Sequence, residues 1–329
     1  MAKAAFHVTW TDIWKNALRF VFNVGYTLIF PMIFGMENVL PSVALCVGLT
    51  MLPENDLQVR PRTMVGILFF LNLGCGLVAQ LALLSPWVAL PVNLLFVAVL
   101  LLLSSEPALT KPSISFLLCF VFCQSTPVPW DRLPMRMLGL FVGSAITAAA
   151  LALNWHRHGY GANGRDLPAQ IRHCMQHRSY LVRMSVGLAI AMLIGMLLHL
   201  KKPLWISIVV MSLTQIDLKD TLDRIHLRAV GTVLGIVLFS VLFGLLIPAK
   251  YSIIAIFMLG YLSFFTSDYK HKTIVNAVSA INASLVLLDT GTAITTRVLC
   301  LFTGIVIVLA LWLVHFVAKH HLAAGAPSV

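Results

Sequence analysis

The chain has 329 residues, of which 59% are apolar and 11% are charged, and its formal net charge is +11. Soluble domains carry about 45–50% apolar and about 25% charged residues, so the composition excludes a soluble protein and indicates an integral membrane protein in a lipid bilayer. The basic residues lie mainly between apolar segments, which is a signal of membrane topology, and they predict no nucleic-acid partner.

The first predicted element is an amphipathic helix in residues 1–19. Trp10 and Trp14 fall on one face of this helix, and Lys15 and Arg19 fall on the opposite face. Helices of this kind lie in the headgroup region with their apolar face toward the acyl chains. We therefore expect an interfacial helix that anchors the first membrane segment.

Twelve apolar segments follow, and they predict an all-α membrane protein with about 12 transmembrane segments. Lys and Arg are concentrated in the connections on the N-terminal side, so the positive-inside rule predicts that both termini are cytoplasmic in a bacterial inner membrane. The segments are predicted at 20–35, 39–52, 63–84, 86–103, 113–125, 135–154, 181–199, 204–215, 226–247, 251–266, 273–288 and 295–317.

An internal repeat is indicated by two matching stretches, RMLGLFVG at 136–143 and RVLCLFTG at 297–304. The same spacing of 161 residues relates Lys111 to Lys272. Because each copy would hold an even number of helices, the two copies would be parallel repeats. The predicted organisation is a first six-helix repeat at 20–155, a cytoplasmic linker at 156–179, a second repeat at 180–318 and a cytoplasmic tail at 319–329.

The second and fifth segments are short in both predicted repeats. A helix of about 14 residues spans about 21 Å, whereas the hydrocarbon core is about 30 Å thick. Short segments at corresponding places in two repeats point to a transport site built from half-length helices. The alternative is that flanking residues complete ordinary membrane spans.

Basic residues next to these short segments are candidates for binding an anion. Lys111 and Lys272 each precede a fifth helix, whose N-terminus is itself electropositive. Arg136 and Arg297 lie at the opposite membrane face and could guard the outer mouth of a pathway. The alternative reading is that all four only set the topology. Two polar residues of the second repeat's fifth helix, Asn276 and Asn282, are candidate lining residues.

A denser group of charges lies in the stretch QIDLKDTLDRIHLRAVGTVLG at 215–235. If this stretch is one helix, its charges share a face with two glycines, and the glycines permit close packing against another helix. We assign anion binding to the arginines and proton coupling to the aspartates, although headgroup anchoring is the alternative. The residues are Asp217, Asp220, Arg224, Arg228, Gly231 and Gly235.

No cofactor, metal site or enzymatic activity is expected. The linker contains His156, His158, His173, Cys174 and His177, but their spacing fits no closed zinc pattern. The chain also has no phosphate-binding loop, nucleophile elbow or dinucleotide fingerprint.

Part of the sequence resembles a known family. The run of Arg224, Arg228, Gly231, Thr232 and Gly235, preceded by PLWISIVVMSL, is similar to the signature of the FUSC family, the fusaric-acid-resistance-like membrane proteins. The resemblance covers the second half well and the first half in layout. It implies six-helix units, a role among the aromatic acid exporters, a homodimer, and a periplasmic adaptor protein as a candidate partner.

These observations predict a secondary transporter that exports small organic anions, in particular aromatic carboxylates. Export of a monoanion from a negative-inside cell is electrically downhill by about 2.3 kcal/mol per 100 mV, so a voltage or a proton gradient could drive it. Two alternatives from the sequence are a passive organic-anion channel and a membrane scaffold that transports nothing.

Overall fold

The structure is a computed structural model that describes residues 9–108, 110–158, 164–198, 200, 202–265, 268–285 and 289–324. The described residues are mostly helical, and their one β-type pairing is an isolated bridge between Val59 and Arg165. The α-helices are α1 Trp10–Phe34, α2 Val39–Met51, α3 Pro61–Ala82, α4 Pro86–Ser104, α5 Ser113–Ser125, α6 Leu133–His158, α7 Leu167–Gln176, α8 Arg178–Leu197, α9 Leu204–Leu213, α10 Leu218–Val241, α11 Ser252–Leu262, α12 Tyr269–Ser284 and α13 Thr290–Ala324.

Seven helices in the described part of the chain are long and apolar enough to cross a bilayer, so the protein is a multi-pass membrane protein. They are α1, α3, α4, α6, α8, α10 and α13. Each of the twelve predicted segments overlaps a helix, but helix length supports only these seven as complete spans. The count of twelve membrane segments therefore stays a prediction.

The N-terminal region differs from the prediction of an interfacial helix followed by a separate span. The structure has one continuous helix, α1, because no strong helix breaker separates the amphipathic residues from the apolar ones. Pro31 lies in its last turn, and α1 ends before Gly35, whose φ of 98° is a conformation that favours glycine. Residues 1–8 of the predicted interfacial helix lie outside the described residues.

The predicted cytoplasmic linker is partly helical. α6 extends into it as far as His158, and α7 lies within it. The buried Gln170 of α7 donates hydrogen bonds to the carbonyls of Leu103 and Glu106, so α7 packs at the C-terminal end of α4. Linker residues 159–163 and tail residues 325–329 lie outside the described residues.

The chain divides into two compact units that do not coincide with its two sequence halves. One unit comprises the N-terminal residues up to Tyr26 and Asp223–Leu299, and the other comprises Thr27–Leu222 and the residues from Cys300 onward. The units differ from the sequence halves because the first helix of each half packs against the fourth helix of the other half. α8 packs along α4, and in the other unit Phe20 of α1 contacts Phe257 of α11 with ring centroids 6.2 Å apart.

Buried polar side chains connect helices of the larger unit. The Asn72 amide of α3 donates to the Ser144 hydroxyl of α6 at 3.0 Å, and the Gln80 amide donates to the Val128 carbonyl at 2.9 Å. Asn93 of α4 is also fully buried, but neither of its amide atoms has a hydrogen-bond partner among the described residues. Such side chains are costly in an apolar setting unless they are paired, so the first two bonds fix how these helices pack.

Two glycines of α10 face α12. A Cβ atom at Gly231 would lie 2.9 Å from the Thr273 Cβ, and one at Gly235 would lie 2.5 Å from the Ala277 Cβ. These helices are therefore close enough that only hydrogen atoms fit at the two positions. The same unit contains a small buried cluster, which is formed by Phe239, Val278, Ile281 and Ala293.

We predict that Gly235→Ala lowers the stability of the protein by about 1–3 kcal/mol, because the added methyl group would also lie 3.0 Å from the backbone carbonyl of Ile274. Thermal unfolding of the purified protein in detergent measures the change. Gly66→Ala is the matched control, since a Cβ there meets nothing within 4 Å. Equal melting temperatures for the two variants would contradict the close contact.

Candidate functional site

Short helices distinguish the candidate site. α2 and α5 have 13 residues each, α9 has 10 and α12 has 16. A helix of 13 residues spans about 20 Å, which is less than the roughly 30 Å of the hydrocarbon core. The last carbonyls of a helix have no partner within it, and no water is present in the bilayer core to satisfy them. The ends of these helices therefore need partners from elsewhere in the chain.

Arg136 of α6 supplies such partners at the C-terminal end of α5. Its side chain is only 1% exposed, and its guanidinium donates to the carbonyls of Cys123 at 3.0 Å and Glu37 at 2.8 Å. Its Nε donates to the Asn38 side chain at 2.9 Å. All three nitrogens are thus engaged within the chain. This arrangement favours a structural role for Arg136 over the predicted role at an outer mouth.

Arg183 of α8 makes a similar arrangement beyond the C-terminal end of α9, except that its Nε has no hydrogen-bond partner among the described residues. One of its terminal nitrogens donates to the carbonyls of Gln215 at 3.0 Å and Ile216 at 2.9 Å. The guanidinium carbon also lies 3.7 Å from the centre of the Trp312 ring, which is cation–π geometry. Arg183 is not among the site residues predicted from the sequence. The available signal was its position inside the membrane helix α8, where an arginine must be paired or solvated.

Lys111 lies just before α5 and contacts the end of α9. Its backbone has φ of 49°, in the left-handed region that few residues other than glycine adopt. Its ammonium group donates a hydrogen bond to the side-chain oxygen of Gln215. Since the start of α5 meets the end of α9, these two contacting helices run antiparallel.

A small pocket opens beside Lys111. It combines cationic, acidic and hydroxyl groups, and the His177 Nε2 lies 3.4 Å from a carboxylate oxygen of Glu106. Lys111 and the N-terminus of α5 contribute positive charge to it. Its lining residues are Ser105, Glu106, Ala108, Lys111, Ser113, His177, Tyr180 and Ile216.

Arg228 of α10 occupies a different environment in the other compact unit. It is only 6% exposed, and its terminal nitrogen lies 3.5 Å from the Tyr269 hydroxyl, at the limit of a hydrogen bond. Within the described residues its Nε has no hydrogen-bond partner, and no carboxylate pairs with it. Arg224 lies over the Tyr269 ring at 4.8 Å. Both arginines therefore contact the side chain of Tyr269, the first residue of α12.

The other predicted site residues are more dispersed. Lys272 and Asn276 are exposed on α12, on a different side from Thr273 and Ala277, which face α10, and Asn282 is half-buried. Asp217 precedes α10 and Asp220 lies in its first turn, and both are exposed. Arg297 is buried in α13.

The linker histidines form no evident metal centre. Among the residues that the structure describes, no group of three or more His, Cys, Asp or Glu side chains is arranged to hold a metal ion. Cys174 of α7 is buried beside Ser105 and Glu106, and this burial raises the pKa of its thiol. A raised pKa disfavours the thiolate that metal binding requires.

Comparison with known proteins bears on the second half of the chain. Residues 190–311 match the family described as fusaric acid resistance protein-like. The match covers 122 of the 329 residues, and this part of the chain is similar to that family. The family predicted from the sequence is therefore confirmed over these residues, and the fusaric acid resistance-like segment contains Arg224, Arg228 and Tyr269, but not Lys111 or Arg136.

A curated relative is similar over a shorter stretch. A segment of 71 residues is 41% identical to the uncharacterized protein YhfK of Escherichia coli (strain K12), and it covers 22% of this chain and 10% of that protein. No solved structure matches the chain significantly. The name of this relative assigns no activity, so function must be argued from the fusaric acid resistance-like segment and from the geometry.

We predict that Arg136→Met lowers the stability by about 2–4 kcal/mol, because the carbonyls of Cys123 and Glu37 would lose their donors. Arg132→Met is the matched control, since Arg132 forms an exposed ion pair with Glu37. Its melting temperature in detergent should stay close to that of the wild type. If both variants melted alike, the bonds of Arg136 to the end of α5 would not stabilise the fold.

Proposed function

We propose that this chain is a secondary transporter of the bacterial inner membrane that exports small organic anions, including aromatic carboxylates. The match to the fusaric acid resistance protein-like family and the seven long apolar helices support a membrane transporter. The observation that carries the proposal is the buried guanidinium of Arg228, which contacts the hydroxyl of Tyr269 at the start of α12 and has no carboxylate partner among the described residues.

The contrast between two buried arginines supports this choice. Burying a charge is costly unless hydrogen bonds satisfy it, and Arg136 is satisfied by carbonyl and side-chain oxygens of its own chain. Arg228 has one long contact and an Nε without a partner. A ligand carboxylate would accept two parallel bonds from such a guanidinium, and the dipole of α12 would favour the same negative charge. Tyr269 adds an aromatic wall, which is the basis for including aryl carboxylates.

We further propose that the fold consists of two parallel six-helix repeats with twelve membrane segments. Gly143 of α6 lies against Leu45 of α2, and Gly304 of α13 lies against Val209 of α9. Gly143 and Gly304 are 161 residues apart, and Leu45 and Val209 are 164 residues apart. The first helix of each half also packs against the fourth helix of the other half, so this contact occurs once for each proposed repeat. In this arrangement Lys111 and Lys272 mark equivalent sites at the starts of α5 and α12.

The remaining features of the proposal concern energy and assembly. Membrane voltage favours export of a monoanion by about 2.3 kcal/mol per 100 mV, and the exposed carboxylates of Asp217 and Asp220 are the candidates for proton coupling. We place both termini in the cytoplasm, which the distribution of Lys and Arg supports. A homodimer that works with a periplasmic adaptor protein completes the proposed assembly.

We predict that Arg228→Gln abolishes transport without preventing membrane insertion, because the amide cannot replace the charge or both donors of the guanidinium. Purified protein in liposomes is tested for uptake of a radiolabelled aryl carboxylate under an imposed potential, with and without a pH gradient. Arg172→Gln, at an exposed position of α7, is the control.

Three outcomes of this assay separate the alternatives. Saturable flux that responds to the pH gradient and is lost only in Arg228→Gln supports the proposed exporter. Flux that follows voltage, does not saturate and ignores pH indicates a passive channel. Absence of flux for every anion tested would reject transport and leave a membrane scaffold.

We predict that Lys111→Gln raises the half-saturating anion concentration by about tenfold, because it removes one charge-assisted contact of about 1.4 kcal/mol. The same liposome assay measures this concentration, and Lys219→Gln, at an exposed position of α10, is the control. An unchanged value would show that Lys111 serves only to hold the end of α9 through Gln215.

A further inference from the structure

A second pocket lies at the opposite end of the contact between α5 and α9. It is a small cleft, open on one side, that is formed by the last turn of α5, the first turn of α9 and one face of α8. None of the described residues that line it is charged, in contrast to the pocket beside Lys111. The lining residues are Leu83, Val121, Gln124, Ser125, Met192, Met196, Pro203, Leu204 and Ser207.

Gln124 is the unusual residue of this pocket. Its side chain is only 8% exposed, and its nitrogen makes a long contact of 3.8 Å with the Met196 sulfur. Its oxygen is buried and has no hydrogen-bond partner among the described residues. The neighbouring Ser125, in contrast, donates to the Val121 carbonyl of its own helix at 2.7 Å. A buried amide oxygen without a donor is destabilising, and buried polar atoms of this kind are rare in proteins.

The other residues that line the pocket indicate which kind of ligand could donate a hydrogen bond to the Gln124 oxygen. Met192 and Met196 are flexible and polarizable, and methionine sulfur makes favourable contacts with aromatic rings. An uncharged lining disfavours a fully enclosed ion.

We propose that this pocket binds a small, uncharged aromatic molecule that carries one N–H or O–H group, and that the Gln124 oxygen accepts the hydrogen bond from that group. The ring lies against Met192 and Met196. Gln124 determines specificity, because it distinguishes a ring with a donor from the same ring without one. This inference does not depend on transport, since the binding can be measured in a protein that moves nothing.

The experiment uses indole and N-methylindole, which share a ring system and differ in one N–H donor. Binding of radiolabelled indole is measured on the full chain in lipid nanodiscs, with binding to empty nanodiscs subtracted, and each compound is used as the competitor. We expect N-methylindole to compete about 3–10-fold more weakly than indole, as expected for one neutral hydrogen bond. In Gln124→Leu, which keeps the side-chain size, the two competitors should agree within about twofold.

A second variant tests the pocket without altering Gln124. Ser207→Leu places a larger side chain in the pocket from α9 and should weaken the binding of both compounds about equally. Ser240→Leu makes the same change at an exposed position of α10 and should bind as the wild type does. Size-exclusion profiles report whether each variant is folded.

Several results would overturn the proposal. Equal competition by the two compounds in the wild type would remove Gln124 as an acceptor, and a preference that persists in Gln124→Leu would place the acceptor elsewhere. Absence of displaceable indole binding would reject the pocket as a site for this class of molecule. Binding as expected together with no anion flux in liposomes would leave this inference standing and reject the proposed transporter.

Discussion

The fold depends on hydrogen bonds between buried arginines and the C-terminal ends of short helices. α5 and α9 are too short to reach both membrane surfaces, so at least one end of each helix lies short of a surface. Arg136 donates to the end of α5, and Arg183 donates to the carbonyls that follow α9. Each arginine lies on a neighbouring long helix, α6 or α8, and therefore also fixes the position of the short helix relative to the long ones.

The same chemistry separates the arginines that maintain the fold from those available to a ligand. In the bilayer an arginine must find acceptors, and the chain itself supplies them to Arg136 through Cys123, Glu37 and Asn38. Arg228 is nearly as well buried, but its one hydrogen-bond contact among the described residues is the hydroxyl of Tyr269, the first residue of α12. An anion next to Arg228 would accept hydrogen bonds from a guanidinium that has few acceptors. An anion next to Arg136 would have to displace hydrogen bonds that the chain already makes.

The sequence predicted the apolar helices and the family, because hydrophobic runs and the arginine–glycine signature are local patterns. It could not distinguish Arg136 from Arg228, since both are arginines next to apolar residues and only their distant partners differ. Arg183 was missed for the same reason, as its contacts with Gln215 and Trp312 join positions far apart in the chain. α7 was read as linker because its composition is polar, and its burial depends on the C-terminal end of α4.

α5 is the element that two chemically different pockets share. At its N-terminus, Lys111 and the helix dipole create a basic environment, and at its C-terminus Gln124 borders an uncharged pocket. One carbonyl at this second end, that of Cys123, accepts a hydrogen bond from Arg136, which holds the helix in place. One short helix can in this way present charge to a ligand at one end and an apolar surface at the other.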